Sequence, residues 1–138
     1  MSRDNGIKSY RDLLVWQKGM ALVKEVYWVT RAFPVEERFG LSIQMRRAAV
    51  SVPSNIAEGQ ARQGKKEFVQ FLSHAEGSLA ELDTQLTLAL ELGYCRQSDG
   101  QRIATMIAEL QNMIAALRRS LILRLSSDER SPVLATNH

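Results

Sequence analysis

The chain has one cysteine, Cys95, and two histidines, His74 and His138, among 138 residues. A lone cysteine excludes an intrachain disulfide framework and fits a reducing, cytoplasmic setting. Neither histidine follows a glutamate by three residues, so the Glu-x-x-His pair that builds di-metal sites in helical bundles is missing. There is no Cys-x-x-Cys, no Gly-rich phosphate loop, and no histidine near Cys95 in sequence to activate it. These absences predict a protein that is not an enzyme and that carries no metal or cofactor. No apolar run reaches the roughly 18 residues needed to cross a bilayer, and Met1–Ser9 is polar and charged, so neither membrane insertion nor export is expected. Strand-like alternation and internal repeats are also missing.

Lys and Arg exceed Asp and Glu by 18 to 15, a net charge of +3. The excess is carried by 13 arginines against 5 lysines. Arginine makes bidentate contacts to phosphate and carboxylate, so the balance suits nucleic acid and internal ion pairs equally.

The apolar residues follow helical spacing. Ser9 and Asp12 read as a capping-box variant opening a first helix, with Leu13, Trp16, Met20, Val23, Tyr27 and Thr30 on one face and Pro34 just beyond its end. A second helix runs from Leu41 to about Glu58, rich in Ala and Ser, kinked at Pro53 and closed by Gly59. Gly64 opens a third, whose face reads Phe68, Phe71/Leu72, Ala75, Leu79, Leu82, Leu86 and Ala89/Leu90, and Gly93–Tyr94 ends it in Schellman form. Ser98 and Gln101 form a box before Ile103, Ile107, Leu110, Ile114, Leu117 and Leu121, and the fourth helix is expected to stop near Leu125. Short connectors make neighbours antiparallel. The fold class is therefore all-α, an up-and-down four-helix bundle over residues 9–125, with a disordered stretch at 1–8 and a flexible tail at 126–138.

Two polar stripes interrupt this pattern. The second helix carries Gln44, Arg47, Ser51, Asn55 and Glu58, and the third carries His74, Ser78, Glu81 and Gln85. The preferred reading is a polar network, with Arg46 or Arg47 paired to Glu81 or Glu58, that fixes the register of the second helix within or between subunits. Two ordinary solvated faces, or a ligand surface, are the alternatives, and His74 is read as a hydrogen-bonded bundle histidine. The basic pairs Arg46–Arg47, Lys65–Lys66 and Arg118–Arg119, with Arg124, are candidates for tracking a phosphate backbone if the fold gathers them. Solubilising charge on outer faces is the alternative.

Three segments, DLLVWQKGMAL (residues 12–22), FPVEERFGLSIQMRRAAVSVPSNIAEG (33–59) and GSLAELDTQL (77–86), resemble the bacterial four-helix-bundle proteins first noticed as products of intervening sequences in large-subunit ribosomal RNA genes. The likeness spans about residues 9–122. It implies a bundle that commonly assembles as a ring-like homopentamer, which would place the polar stripes between subunits. It also implies kinship with accessory proteins of reverse transcriptase in diversity-generating retroelements, which bind nucleic acid through a basic surface. The chain departs from that pattern in having Gly64 where Ser or Thr would cap the third helix, and in its modest charge. The expectation is a homo-oligomeric interaction protein, with RNA or DNA as the favoured partner and a reverse transcriptase or other protein as a further one. A purely structural or protein-binding oligomer is the alternative.

Overall fold

A computed structural model describes residues 9–136, with side chains through residue 128. The expected disordered stretch 1–8 and His138 lie outside the described residues. Four helices form: α1 (Leu14–Thr30), α2 (Leu41–Ala61), α3 (Lys65–Glu91) and α4 (Gln97–Thr136). Each packs on its neighbours in the chain, and α1 closes the circuit against α4. Opposed contacts, Thr30 with Arg46 near one end and Gly19 with Pro53 further along, show α1 and α2 antiparallel. The up-and-down four-helix bundle is therefore the fold.

The stripes of α3 and α4 are the core as their spacing predicts. Leu72, Ala75, Leu79, Leu82, Leu86 and Ala89 meet Ile103, Ile107, Leu110, Ile114 and Leu121, all buried, with Leu117 only partly covered. Each fully buried Leu or Ile among them contributes about 1.5–3 kcal/mol by leaving water, and each alanine less.

In α1 the buried face is instead Val15, Gly19, Leu22, Val26, Val29 and Thr30. The expected stripe is turned about 100°, one residue's rotation, and Tyr27 is exposed. Apolar residues almost encircle α1, so spacing alone admits both faces. Gly19 decides between them: it sits against Pro53, where an added Cβ would come to 3.4 Å from the proline Cβ. The capping box forms, with Ser9 Oγ accepting from the Arg11 N–H and Asp12 from the Ser9 N–H. It caps a separate 3-10 turn at Tyr10–Asp12, and extended Leu13 delays α1 to Leu14.

Helix α2 carries Pro53 inside it and runs past Gly59, its expected end, to Ala61. Gly59 does not cap. Its missing side chain admits α3, for a Cβ there would lie 2.7 Å from Phe71 Cβ and 2.9 Å from Phe68 Cδ1. Helix α3 ends as predicted: Gly93 has φ 75, the Tyr94 N–H reaches Ala89 O at 2.9 Å and the Gly93 N–H reaches Leu90 O at 3.1 Å. In α4, Ser98 falls inside the first turn rather than at the cap, and the helix continues past Leu125 to Thr136.

Candidate functional site

The polar stripes of α2 and α3 meet at one point. Ser51 Oγ and Ser78 Oγ lie 2.7 Å apart, and Asn55 Nδ2 donates to Ser51 Oγ and to Ser51 O at 2.9 and 2.8 Å. Beyond it the expected network does not form. Glu58 takes Arg62, the residue just past the end of α2, at 3.3 Å, and Arg46 turns towards α1, so no arginine of α2 reaches Glu81 and neither Arg46 nor Arg47 reaches Glu58. Adjacent residues point about 100° apart, which puts Arg46 towards α1 and leaves Arg47 exposed with Gln44 and Glu81. His74 is exposed, its ring edge 6.0 Å from Phe71, not a hydrogen-bonded interior histidine. Gln85 alone of the stripe is buried, and its Oε1 has no hydrogen-bond partner among the described residues.

The six basic candidates are not gathered. Arg46 and Arg47 lie about 25 Å along the bundle from Lys65 and Lys66, at 1.5 Å per residue. Lys65 Nζ is held by Asp128 at 2.7 Å. Arg118 Nε is held by Glu76 Oε1 at 2.8 Å across α3 and α4. Lys66 and Arg119 are exposed.

A different set does converge, at the corner where α1 passes to α2. Arg46 Nε donates to Thr30 Oγ1 at 2.8 Å and its Nη2 to Tyr27 O at 3.3 Å, with the guanidinium 4.5 Å from the Tyr27 ring centre. It thus satisfies a carbonyl at the C-terminal end of α1. Arg31 and Arg38 line the same concavity. Residues 30–47 hold four arginines against two glutamates, so this corner supplies +2 of the chain's +3. Of the two acids, Glu37 is occupied: Oε1 accepts the Leu41 N–H at 2.9 Å and Oε2 the Tyr94 hydroxyl at 3.1 Å. Arg46 was legible in the sequence as a candidate, whereas Arg31 and Arg38 were not. Their signal was a pair of arginines flanking Pro34, whose turn folds them onto one corner.

Beside this corner a cleft of about 540 Å³ is lined by Trp28, Tyr94, Cys95, Arg96 and Asp99. Burial, and secondarily the Asp99 charge, push the Cys95 thiol up, away from the thiolate a nucleophile needs. Arg102 binds Glu25 and Asp99 and lies 5.7 Å from the Trp28 ring centre. Among the described residues no three of His, Cys, Asp and Glu gather as metal ligands, and no helix is long and apolar enough to cross a membrane.

The model of the 23S rRNA-intervening sequence protein family matches residues 11–116. The fold is similar to a crystal structure from Bacteroides thetaiotaomicron, described as a protein with unknown function from the S23 ribosomal protein family. The TM-score is 0.72 at 20% identity, covering 77% of this chain and 96% of that one. No curated protein matches the chain.

Proposed function

We propose, from the premise that this chain belongs to the 23S rRNA-intervening sequence protein family, that it is a non-enzymatic interaction protein that binds RNA or DNA through the arginines of the α1–α2 corner. The supporting observation is that Arg31, Arg38, Arg46 and Arg47 make no ion pair among the described residues. Lys65 and Arg118, by contrast, are neutralised in place. Charge left unpaired on one corner is what a polyanion can displace counterions from. Self-assembly, in a ring of five as the sequence resemblance implies, would multiply a corner of +2 into a large basic surface.

A second reading, a protein-binding oligomer without a nucleic-acid role, is favoured by Val35 and Phe39, 73% and 86% exposed on the same corner. Large apolar side chains so exposed suit a protein contact. Fluorescence anisotropy with labelled single-stranded RNA and duplex DNA over a series of salt concentrations, with the solution mass recorded alongside, tests the choice. Affinity falling steeply with salt supports the nucleic-acid reading. No binding at low salt, from a protein that is oligomeric, leaves the protein-binding one.

A further inference from the structure

We propose that the notch at the α1–α2 corner is a site for a phosphate monoester, the terminal phosphate of a nucleic-acid strand or of a free mononucleotide. The notch, about 250 Å³, is bounded by Thr30, Arg31, Pro34, Arg38, Ser42 and Arg46, with no carboxylate in its lining. Three arginines therefore border one small volume from three chain positions, the end of α1, the connector and the second turn of α2, with the Arg38 guanidinium 5.9 Å from the centre of the exposed Phe39 ring.

Arg46 is positioned before any ligand arrives. Two of its five N–H groups are engaged by Thr30 and Tyr27, and the Tyr27 ring supports its plane. The remaining donors keep a fixed direction, which lowers the entropy cost of binding an oxyanion. Its tie to the end of α1 is a sufficient structural role for Arg46 alone. That role does not extend to Arg31 and Arg38, which hold no acid.

Ser42 is the independent sign. Its side chain lines the notch, the residue is only 7% exposed, and its hydroxyl has no hydrogen-bond partner among the described residues. Gln85 Oε1 is the fully buried side-chain atom without a partner among the described residues, so the Ser42 hydroxyl opens to solvent through the notch and can donate to a ligand seated there. An anion seated among the three arginines would accept that hydroxyl's proton in a hydrogen bond. Of the two nearby acids, Glu37 has both oxygens hydrogen-bonded to Leu41 and Tyr94, and among the described residues neither it nor Glu36 forms an ion pair with these arginines.

The chemistry favours phosphate over carboxylate. A monoester carries close to two negative charges and three terminal oxygens, matching several guanidinium forks where a carboxylate offers two oxygens and one charge. A terminal group can also enter a concavity that a diester, flanked by sugars on both sides, fills poorly. The proposal deepens the nucleic-acid reading and rests on it only for the strand as source.

The test compares an RNA strand bearing a 5′-phosphate with the same strand bearing a 5′-hydroxyl by anisotropy, and adenosine monophosphate with adenosine by calorimetry. The proteins are the full chain and its Ser42→Ala and Arg31→Gln/Arg38→Gln variants, with thermal melting as the check on folding. The expected result is about tenfold tighter binding of the phosphorylated strand, as one or two charge-assisted hydrogen bonds supply, lost in both variants at unchanged melting temperature. If the monophosphate binds better than adenosine, the variants abolish this and neither strand binds, the site stands for free nucleotides and the nucleic-acid reading falls. If both strands bind alike and the monophosphate gains nothing over adenosine, the phosphate site is overturned while the nucleic-acid reading survives.

Discussion

Ser51 on α2 and Ser78 on α3 share a hydrogen bond of 2.7 Å between hydroxyl oxygens, the one side-chain link among the described residues in which the two polar stripes touch. Asn55, a turn further on, donates to the Ser51 oxygen as well. Removing one partner of a part-buried pair leaves the other unsatisfied, whereas removing both does not. Ser51→Ala is expected to cost about 1–2 kcal/mol and Ser78→Ala about 1 kcal/mol. The double variant should lose less than the two together, by roughly 0.5 kcal/mol or more. Urea denaturation of the four proteins closes the cycle. Strict additivity would mean that the hydroxyls do not act as a pair.

Two glycines inside helices are expected to respond in opposite directions. At Gly59 a Cβ would meet Phe71 Cβ at 2.7 Å, an atom fixed next to the α3 backbone, so Gly59→Ala must separate the helices. The expected loss is about 1–3 kcal/mol. Gly77 lies mid-helix, with nothing within 4 Å of a new Cβ. Gly77→Ala should therefore add up to about 1 kcal/mol through helix propensity. Thermal unfolding of both variants reads the contrast, and a neutral Gly59→Ala would refute the close approach.

The α3 and α4 faces were legible in the sequence because each has one apolar stripe and a polar remainder, so spacing had one solution. In α1, apolar residues on nearly every side left the choice of face to a contact outside the helix, Gly19 against Pro53. Gly59 carried the ordinary signature of a helix end, and only the position of Phe71 on another helix reveals it as a packing glycine. The candidate site failed to be legible for a related reason. Adjacent basic residues in sequence, such as Arg118–Arg119, are spread round a helix and can meet acids on other helices, as Arg118 meets Glu76. Arg31, Arg38 and Arg46 are separated in sequence and are joined only by the turn at Pro34.

Tyr94 ties the α3–α4 turn to the α1–α2 corner through its hydrogen bond to Glu37, and Phe33 packs on its ring at a centroid distance of 5.6 Å. The bond to Glu37, with burial as the second cause, raises the phenol above its ordinary value. A raised acid favours the protonated form in the folded state. Its stabilising contribution is thus complete below the ordinary phenol range near pH 10 and is lost as pH rises through the raised value. Stability measured by urea unfolding should fall across that alkaline window, and Tyr94→Phe should remove this part of the fall. An identical alkaline limb in Tyr94→Phe would place its cause elsewhere.

The proposed nucleic-acid contact at the α1–α2 corner is tested by comparing two pairs of neutral substitutions. Arg38→Gln with Arg47→Gln removes two charges from the α1–α2 corner. Lys66→Gln with Arg119→Gln removes two exposed charges from other parts of the surface. Both alter net charge equally, so a general loss of attraction would weaken binding equally in the two. Local phosphate contacts would not, because every phosphate no longer neutralised lowers the steepness of the salt dependence by about 0.9 for duplex DNA. The corner variant is expected to bind about tenfold more weakly, with a salt slope shallower by the equivalent of about two phosphates, and the other variant to weaken less than about twofold. The reverse ranking would move the interface to the α3–α4 face, where Lys65 and Arg118 would first have to be released from Asp128 and Glu76.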